Sequence, residues 1–367
     1  MSKILILTAS TGAGHNQAAN NLKLEFEEKA HEVVIVDLFK STDKAMNTVI
    51  TEGYNFLAKI IPDAYGFIYN LLDKKKLNDY LLKNAFILIE KRISRKIAEI
   101  DPAIVISTHP FGVPIICALK QKNKTKIPFI QVVTDFKAHY TYVDRNVDAY
   151  ITASEFTREG LIERGIAPDK IFAYGIPTKE EFQTKPDRVF DTNHVFKLLI
   201  MGGSMGLKPM EDSVDILIHS DLNIHMSVVC GNNEALKDKL TEKFKDKIEE
   251  GRLEVLGFIN NVHEYMDNCN LIITKPGGLT TTEAINKCIP MLIPFAIPGQ
   301  EQENTSFMVE NKMALEIREV SQLPTYIKQL IEQPEIYMEM VQNMTELSGT
   351  YSIDKIIELA EQMIAIS

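Results

Sequence analysis

Thr274-Lys275-Pro276-Gly277-Gly278-Leu279-Thr280-Thr281-Thr282-Glu283-Ala284 is the stretch on which the fold turns. The apolar run Leu271–Thr274 reads as a buried strand, Pro276 and the two glycines as a tight turn, and the residues from Leu279 as the start of a helix carrying Glu283. A strand that passes through a glycine turn directly into a helix is the repeating unit of a parallel α/β sheet. A helix start leaves backbone N–H groups unpaired at the positive end of the dipole, so this one suits a phosphate. Glu283, just inside that helix, suits the diol of a ribose. Gly299-Gln300-Glu301-Gln302-Glu303-Asn304, introduced by Pro294 and Pro298, adds amide and carboxylate groups suited to sugar hydroxyls. Together these parts suit a nucleotide-sugar.

The same rhythm of short β-branched runs and helical patterns extends over all 367 residues. Strands are expected at Ile4–Thr8, Val33–Asp37, Ile104–Thr108, Phe129–Thr134, Ala149–Thr152 and Ile171–Tyr174 in the first half. In the second half they are expected at Phe196–Met201, Met226–Cys230, Leu253–Leu256, Leu271–Thr274, Met291–Pro294 and Ala314–Ile317. Continuous apolar runs with helices between them indicate parallel sheets covered on both faces, one for each half. The most polar connection, Thr184–Asn193, places the boundary between a first domain, 1–188, and a second, 189–367. The last helix, near Ser352–Ile364, is positioned to pack back on the first domain. Residues 45–98 break the rhythm and read as a helical insertion.

The net charge of −10 is unevenly spread: residues 1–190 hold 26 basic and 23 acidic side chains, so the acidic excess lies in the second half. An anionic partner is therefore expected at the first half. Within 71–98, Lys74, Lys75, Lys76, Lys83, Lys91, Arg92, Arg95 and Lys96 outnumber Asp73, Asp79 and Glu90 and alternate with apolar residues. That pattern fits a helix on anionic lipid headgroups and equally an ordinary surface helix. No apolar run reaches the ~20 residues of a spanning helix and no leader precedes Met1, so the expectation is a cytoplasmic protein, peripheral on the inner face of the membrane. Cys117, Cys230, Cys269 and Cys288 are scattered, without CxxC spacing, and read as reduced thiols.

The first strand ends in Thr8-Ala9-Ser10-Thr11-Gly12-Ala13-Gly14-His15. The dinucleotide fingerprint wants a third small residue three positions after Gly14, where Gln17 stands, so a nicotinamide cofactor is weakly supported. His15 lies at the carboxyl end of a strand, where open α/β sheets bind ligands, and imidazole suits proton transfer near neutrality. It also suits a helix-start hydrogen-bonder. Two further strand ends carry Thr108-His109-Pro110 and Thr134-Asp135-Phe136-Lys137-Ala138-His139, so His15, His109, Asp135 and His139 are expected along one sheet edge. Asp135 suits a base, an orienter of histidine or a loop cap. The His/Asp spacings match no compact metal motif, and no metal is expected. Met201-Gly202-Gly203-Ser204 is a second glycine turn, and Gly257-Phe258-Ile259 ends a strand where it suits either a base edge or the core.

These segments, in this order, resemble the glycosyltransferase family that contains plant monogalactosyldiacylglycerol synthases and bacterial processive diacylglycerol glucosyltransferases, glycosyltransferase family 28. The resemblance rests on Gly12-Ala13-Gly14-His15, Thr108-His109-Pro110, Thr134-Asp135-Phe136, Gly202-Gly203-Ser204, Lys275 to Thr280 with Glu283-Ala284, and Gly299-Gln300-Glu301 with Asn304. It implies a GT-B architecture, two Rossmann-like domains with a cleft between them. It implies inverting transfer of a hexose from a UDP-sugar to diacylglycerol or a glycosyl-diacylglycerol, with no cofactor, no metal and no nucleic acid.

By resemblance, Phe258 would lie near uracil, Glu283 would hold the ribose, and Ile259 would belong to the same UDP-sugar site. Ser204, Gly278, Leu279 and Thr280 would meet the pyrophosphate, Gly203 and Lys275 would belong to the same UDP-sugar site, and Gln300, Glu301 and Asn304 would read the sugar. His15 or Asp135 would be the base, with Gly14, His109, Pro110 and His139 toward the acceptor. Gly-Gly-Leu-Thr stands at 277–280 where plant enzymes have Gly-Pro-Gly-Thr, which points to the bacterial branch and to UDP-glucose ahead of UDP-galactose. The alternatives are an enzyme of UDP-N-acetylglucosamine (lipid transferase or 2-epimerase) and a non-catalytic UDP-sugar sensor.

Overall fold

The computed structural model describes residues 1–10, 13–40, 87–188, 190, 195–202 and 208–367. Gly203, Ser204 and the 45–86 part of the expected insertion, with Lys74, Lys75, Lys76 and Lys83, lie outside the described residues.

The first of two compact units comprises Met1–Thr178, Ile297–Glu303 and Thr350–Ser367. Its elements run β1 (Lys3–Thr8), α1 (Ala13–Glu28), β2 (Glu32–Asp37), α2 (Ile87–Ile100), β3 (Ile104–Ser107), α3 (Gly112–Gln121), β4 (Phe129–Val132), β5 (Ala149–Ile151), α4 (Glu155–Glu163) and β6 (Ile171–Phe172). The strands form one six-stranded sheet in the order β2-β1-β3-β4-β5-β6, every pair parallel. Alternation along each strand divides the apolar side chains between two cores. Leu5, Leu7 and Val105 face Ile93 and Ile97 of α2 and Ile115 and Ile116 of α3. Ile4, Ile6, Ile104 and Ile106 face Leu22 and Phe26 of α1.

The second unit comprises Lys179–Ala296 and Asn304–Gly349. It contains β7 (Phe196–Met201), α5 (Lys208–Ile218), β8 (Ile224–Val229), α6 (Glu234–Lys243), α7 (Lys245–Glu249), β9 (Leu253–Leu256), α8 (Val262–Asn268), β10 (Leu271–Thr274), α9 (Gly278–Asn286), β11 (Met291–Ile293), α10 (Gln300–Glu310, its first turn counted with the first unit), β12 (Ala314–Glu316), α11 (Leu323–Glu332) and α12 (Pro334–Ser348). Its sheet is also fully parallel, in the order β12-β11-β10-β7-β8-β9. This is the doubly wound dinucleotide-fold order read from one edge to the other. Leu198, Leu199, Leu271, Ile272 and Leu292 at its centre are closed to solvent.

The final helix, α13 (Ile353–Ala365), completes the first unit: Ile353, Ile356, Ile357 and Ala360 pack into the same core as Leu22 and Phe26. A parallel sheet must be covered on both faces, and α13 supplies part of the covering that α1 alone leaves open. Its entry is set by Gly175, at φ +85, where an added Cβ would stand 2.5 Å from the Tyr351 ring. The Ser352 N–H donates to the Tyr174 carbonyl at 2.9 Å, and the Ser352 side chain caps the helix.

Contacts divide the chain after Thr178, upstream of the boundary expected at residue 188. Arg188 explains the difference. Its guanidinium donates to the carbonyls of Lys287, Cys269 and Met266 at 2.8, 2.6 and 2.6 Å. Lys287, wholly buried, reaches back to the Thr184 carbonyl at 2.9 Å and to Asp267. The polar stretch that reads as a linker is thus tied to the second unit. Replacing Arg188 by Met leaves three carbonyls without their donor and should lower unfolding stability by ~2–4 kcal/mol in urea titration. A loss below ~1 kcal/mol would show that water satisfies those groups equally well.

Candidate active site

Both sheets reverse their order beside a central strand: β1 lies between β2 and β3, and β7 between β8 and β10. At such a point neighbouring loops leave in opposite directions and open a crevice at the strands' carboxyl ends. The sequence places its distinctive segments there, after β1 and β3 in the first unit and after β10 in the second.

In the first unit, β3 and β4 end just before Thr108 and Thr134, the two residues that hold His15. His15 sits in the first turn of α1, and its Nδ1 lies 2.9 Å from the Thr108 carbonyl and 3.0 Å from Thr134 Oγ1. The Thr108 hydroxyl donates to the His15 carbonyl at 2.9 Å, closing the pair. Burial lowers the His15 pKa to about 4, against the opposing effect of the Thr108 bond, so the ring is neutral at physiological pH. A carbonyl only accepts, so the single ring proton resides on Nδ1 and Nε2 presents a lone pair. Among the described residues Nε2 makes no hydrogen bond. A neutral, oriented imidazole with a bare Nε2 is competent to take a proton.

The neighbouring groups have distinct tasks. His109 is buried, packs edge-on to His15 with ring centroids 4.5 Å apart, and accepts from the Phe111 N–H through Nδ1. Burial, with His15 beside it, holds His109 well below the usual histidine range. It is a neutral wall against which the His15 ring stands. His139 caps the short turn Tyr140–Tyr142, accepting from the Thr141 N–H at 3.2 Å. Gly14 and Pro110 are partly exposed at the rim.

Asp135 is buried and accepts from Tyr142 Oη at 2.7 Å and from the Gln300 amide. Burial raises its pKa to about 7, the Tyr142 bond opposes that rise, and the charge of Glu303 adds to it. Glu303 in turn pairs with Lys137 at 2.8 Å.

In the second unit, Gly277 is the N-cap of α9, with φ −66 and ψ 141. Those angles suit any residue, and a Cβ placed there would meet none of the described residues within 4 Å. Neither backbone strain nor packing calls for glycine, which leaves room for a ligand above the free N–H groups of Gly278, Leu279 and Thr280. One turn in, the Glu283 side chain is 8% exposed, and among the described residues its carboxyl makes no hydrogen bond. Burial raises its pKa to about 8, partly offset by Lys179. A buried carboxyl without partners is costly, and a diol that donates two hydrogen bonds would relieve that cost.

Phe258, after β9, is 63% exposed, which answers whether it belongs to the core. Ile259 and Lys275 are partly exposed. The amide of Asn304 donates to the Pro276 carbonyl at 3.0 Å and anchors α10 to the loop that precedes α9. Glu301 accepts from the Ile297 N–H at 3.0 Å, so it caps the entry to its own helix. Among the described residues no group of three or more His, Cys, Asp or Glu side chains is placed to hold a metal ion.

Comparison with known proteins agrees with both halves. Residues 15–178 match the family described as monogalactosyldiacylglycerol (MGDG) synthase, and residues 197–356 match the glycosyltransferase family 28 C-terminal domain. The chain is 30% identical over 374 residues to a processive diacylglycerol beta-glucosyltransferase of Bacillus pumilus (strain SAFR-032), covering 97% of this chain and 94% of that protein. It is 29% identical over 377 residues to the protein of the same name in Bacillus subtilis (strain 168), with the same coverage. Among solved structures, Acinetobacter baumannii MurG superposes with a TM-score of 0.62 at 14% identity, over 99% of this chain and 100% of that one. The glycotransferase of kitacinnamycin gives 0.66 at 12% identity, over 99% of each chain. These two likenesses establish the GT-B fold. The chain belongs to the glycosyltransferase family of the processive diacylglycerol beta-glucosyltransferases.

Two predictions follow from Glu283 and Gly277. A carboxyl that is mostly protonated in the empty site must ionise to accept two hydroxyls, so UDP-glucose affinity should rise from pH 6 to pH 8 and then level off. Glu283→Gln should weaken binding by about tenfold or more and remove that pH dependence. Titration calorimetry at three pH values decides it, and pH-independent affinity in the parent protein would refute the ribose assignment. Gly277→Ala should leave the melting temperature nearly unchanged, because its Cβ would meet none of the described residues within 4 Å, and should reduce donor affinity if a phosphate binds the N-terminus of α9.

Proposed function

We propose that this protein transfers glucose, with inversion, from UDP-glucose to diacylglycerol and to the glycolipid so formed. The observation that carries the reading is Glu283, a buried carboxyl that makes no hydrogen bond among the described residues, one turn inside a helix whose N-cap is a glycine with room for a Cβ among those residues. That combination suits the ribose and pyrophosphate of a nucleotide-sugar. The relatives named above supply the acceptor class and the sugar.

In this reading Phe258 lies against uracil, Glu283 accepts from the ribose hydroxyls, and the N–H groups of Gly278, Leu279 and Thr280 bind the pyrophosphate. His15 Nε2 takes the proton of the lipid hydroxyl as its oxygen attacks C1 of glucose. The bond from C1 to the β-phosphate oxygen breaks with its electron pair on UDP. The positive end of α9 stabilises that developing charge, so no divalent cation is required. Gln300, Glu301 and Asn304, in the first turns of α10, read the sugar hydroxyls, Gln300 while keeping its amide bond to Asp135.

A lipid acceptor requires a lipid surface. Among the described residues no helix is long and apolar enough to cross a membrane. The N-terminal part of α2 carries exposed Ile87 and Leu88 beside exposed Lys91 and Arg95. Arg92 belongs to the interior side instead, donating to the carbonyls of Lys40, Asp37 and Leu38. We assign the exposed face to peripheral contact with anionic headgroups on the cytoplasmic side of the membrane.

The deciding experiment supplies UDP-glucose, UDP-galactose and UDP-N-acetylglucosamine separately to the protein with diacylglycerol vesicles, in EDTA. Glucosyl-diacylglycerol should form without added metal, faster on anionic vesicles and more slowly at high salt. Turnover of UDP-N-acetylglucosamine alone, or donor binding without product, would refute the reading. His15→Ala should abolish transfer and leave UDP affinity largely intact, and near-normal turnover would remove His15 from the mechanism.

A further inference from the structure

Behind His15 the first unit holds a continuous line of hydroxyls. His15 Nδ1 lies 3.0 Å from Thr134 Oγ1, which lies 3.3 Å from Tyr142 Oη, which donates to Asp135 Oδ2 at 2.7 Å. Thr134, Tyr142 and Asp135 are at most 5% exposed, and Tyr142 is among the largest fully buried side chains. The Gln300 amide donates to the other oxygen of Asp135. Tyr142 is the one member that nothing in its sequence surroundings singles out.

The donor sense of the line follows from the chemistry at its two ends. At one end the Thr108 carbonyl requires the proton on Nδ1, which Thr134 Oγ1 shares as a second acceptor. At the other end the carboxylate of Asp135 accepts on both oxygens. Tyr142 therefore donates to Asp135, Thr134 donates to Tyr142, and His15 donates to Thr134. A protonated Asp135 would reverse the line: its O–H would donate to Tyr142, Tyr142 to Thr134, and the Thr134 hydroxyl would turn to the Thr108 carbonyl, 3.5 Å away, in competition with His15.

We infer that Thr134 and Tyr142 are positioning residues that couple the Asp135 carboxylate to His15, so that Asp135 orients and supports the base and is not itself the base. This rests on the reading of His15 as the proton acceptor. No proton passes along the line during transfer: Nδ1–H stays in place, the acceptor's proton goes to Nε2, and the ionised Asp135 offsets the charge of the resulting imidazolium. Burial that holds neutral His15 down to about 4 makes such support necessary, because an isolated imidazolium there is poorly solvated. The titratable groups that face this assembly are His109 against the His15 ring, Glu303 beside Asp135, and Lys137 paired with Glu303. With Asp135 raised to about 7, kcat should climb between pH 6 and pH 8 as the carboxylate forms.

The experiment measures kcat, KM for UDP-glucose and the pH profile in the full-length protein on diacylglycerol vesicles. Tyr142→Phe should lower kcat by about tenfold to a hundredfold, within the 10²–10⁴ that a positioned base contributes. It should leave KM for UDP-glucose unchanged and flatten the rise between pH 6 and 8. Thr134→Val should do the same, and Thr134→Ser, which keeps the hydroxyl, should restore most of the rate. Nitrogen NMR of the His15 ring in the unaltered protein provides a readout that needs no variant to fold: the Nδ1–H tautomer is expected, and the Nε2–H tautomer overturns the coupling. A wild-type kcat and pH profile in both Tyr142→Phe and Thr134→Val overturns it as well. An active His15→Ala would instead overturn the base assignment on which the coupling depends.

Discussion

A parallel strand covered on both faces exposes chemistry only at its ends, and nearly everything about this protein follows from that constraint. Ile4 to Leu7 and Leu198 to Ile200 are closed to solvent almost completely, so no side chain along them can meet a substrate. The strands lead instead into Thr108, Thr134 and the turn at Gly277, each at a carboxyl end. Because the strand order reverses beside β1 and beside β7, the loops there part and leave room for a ligand. The glycine turns, the histidine and the buried carboxyls stand where the sheet has no covering of its own.

Desolvation then gives those end groups their character. One physical effect, the cost of a charge away from water, holds His15 neutral, raises Asp135 to about 7 and raises Glu283 to about 8. The outcome differs with the partners each group has. Among the described residues Glu283 makes no hydrogen bond, whereas Asp135 accepts from Tyr142 and Gln300. Lys287 is buried and Arg188 half-buried, yet each is surrounded by carbonyls or a carboxylate and serves only to hold 179–188 on the second unit. Buried charge marks a site here where its partners are missing or adjustable, and marks structure where they are complete.

Much of the architecture was legible because it depends on local pattern. All twelve expected strands form, since continuous apolar runs between Gly, Pro and Asp leave few other choices. The helix after Gly277 also follows from adjacent residues, whereas Phe258, open between a base edge and the core in the sequence, is shown to be exposed only by the structure. The unit boundary did not, because Arg188 lies in a polar stretch that reads as a linker and its three acceptors are about 80 to 100 residues away in sequence. His109 and His139 were expected beside His15 along one sheet edge, and the structure gives each a different part: His139 caps a turn, His109 is a packed wall, and His15 keeps a nitrogen that makes no hydrogen bond among the described residues.

From the sequence alone came the two parallel sheets, the family, and the positions of His15, Glu283 and the glycine turns, because each is written in neighbouring residues whose geometry is fixed by the backbone. Only tertiary structure decided the His15 tautomer, the burial of Glu283 without a hydrogen bond among the described residues, and the line through Thr134 and Tyr142 to Asp135. Those depend on which carbonyl, hydroxyl or apolar wall from another strand comes within 3 Å or so, and folding brings such groups together from as far apart as residues 15 and 134.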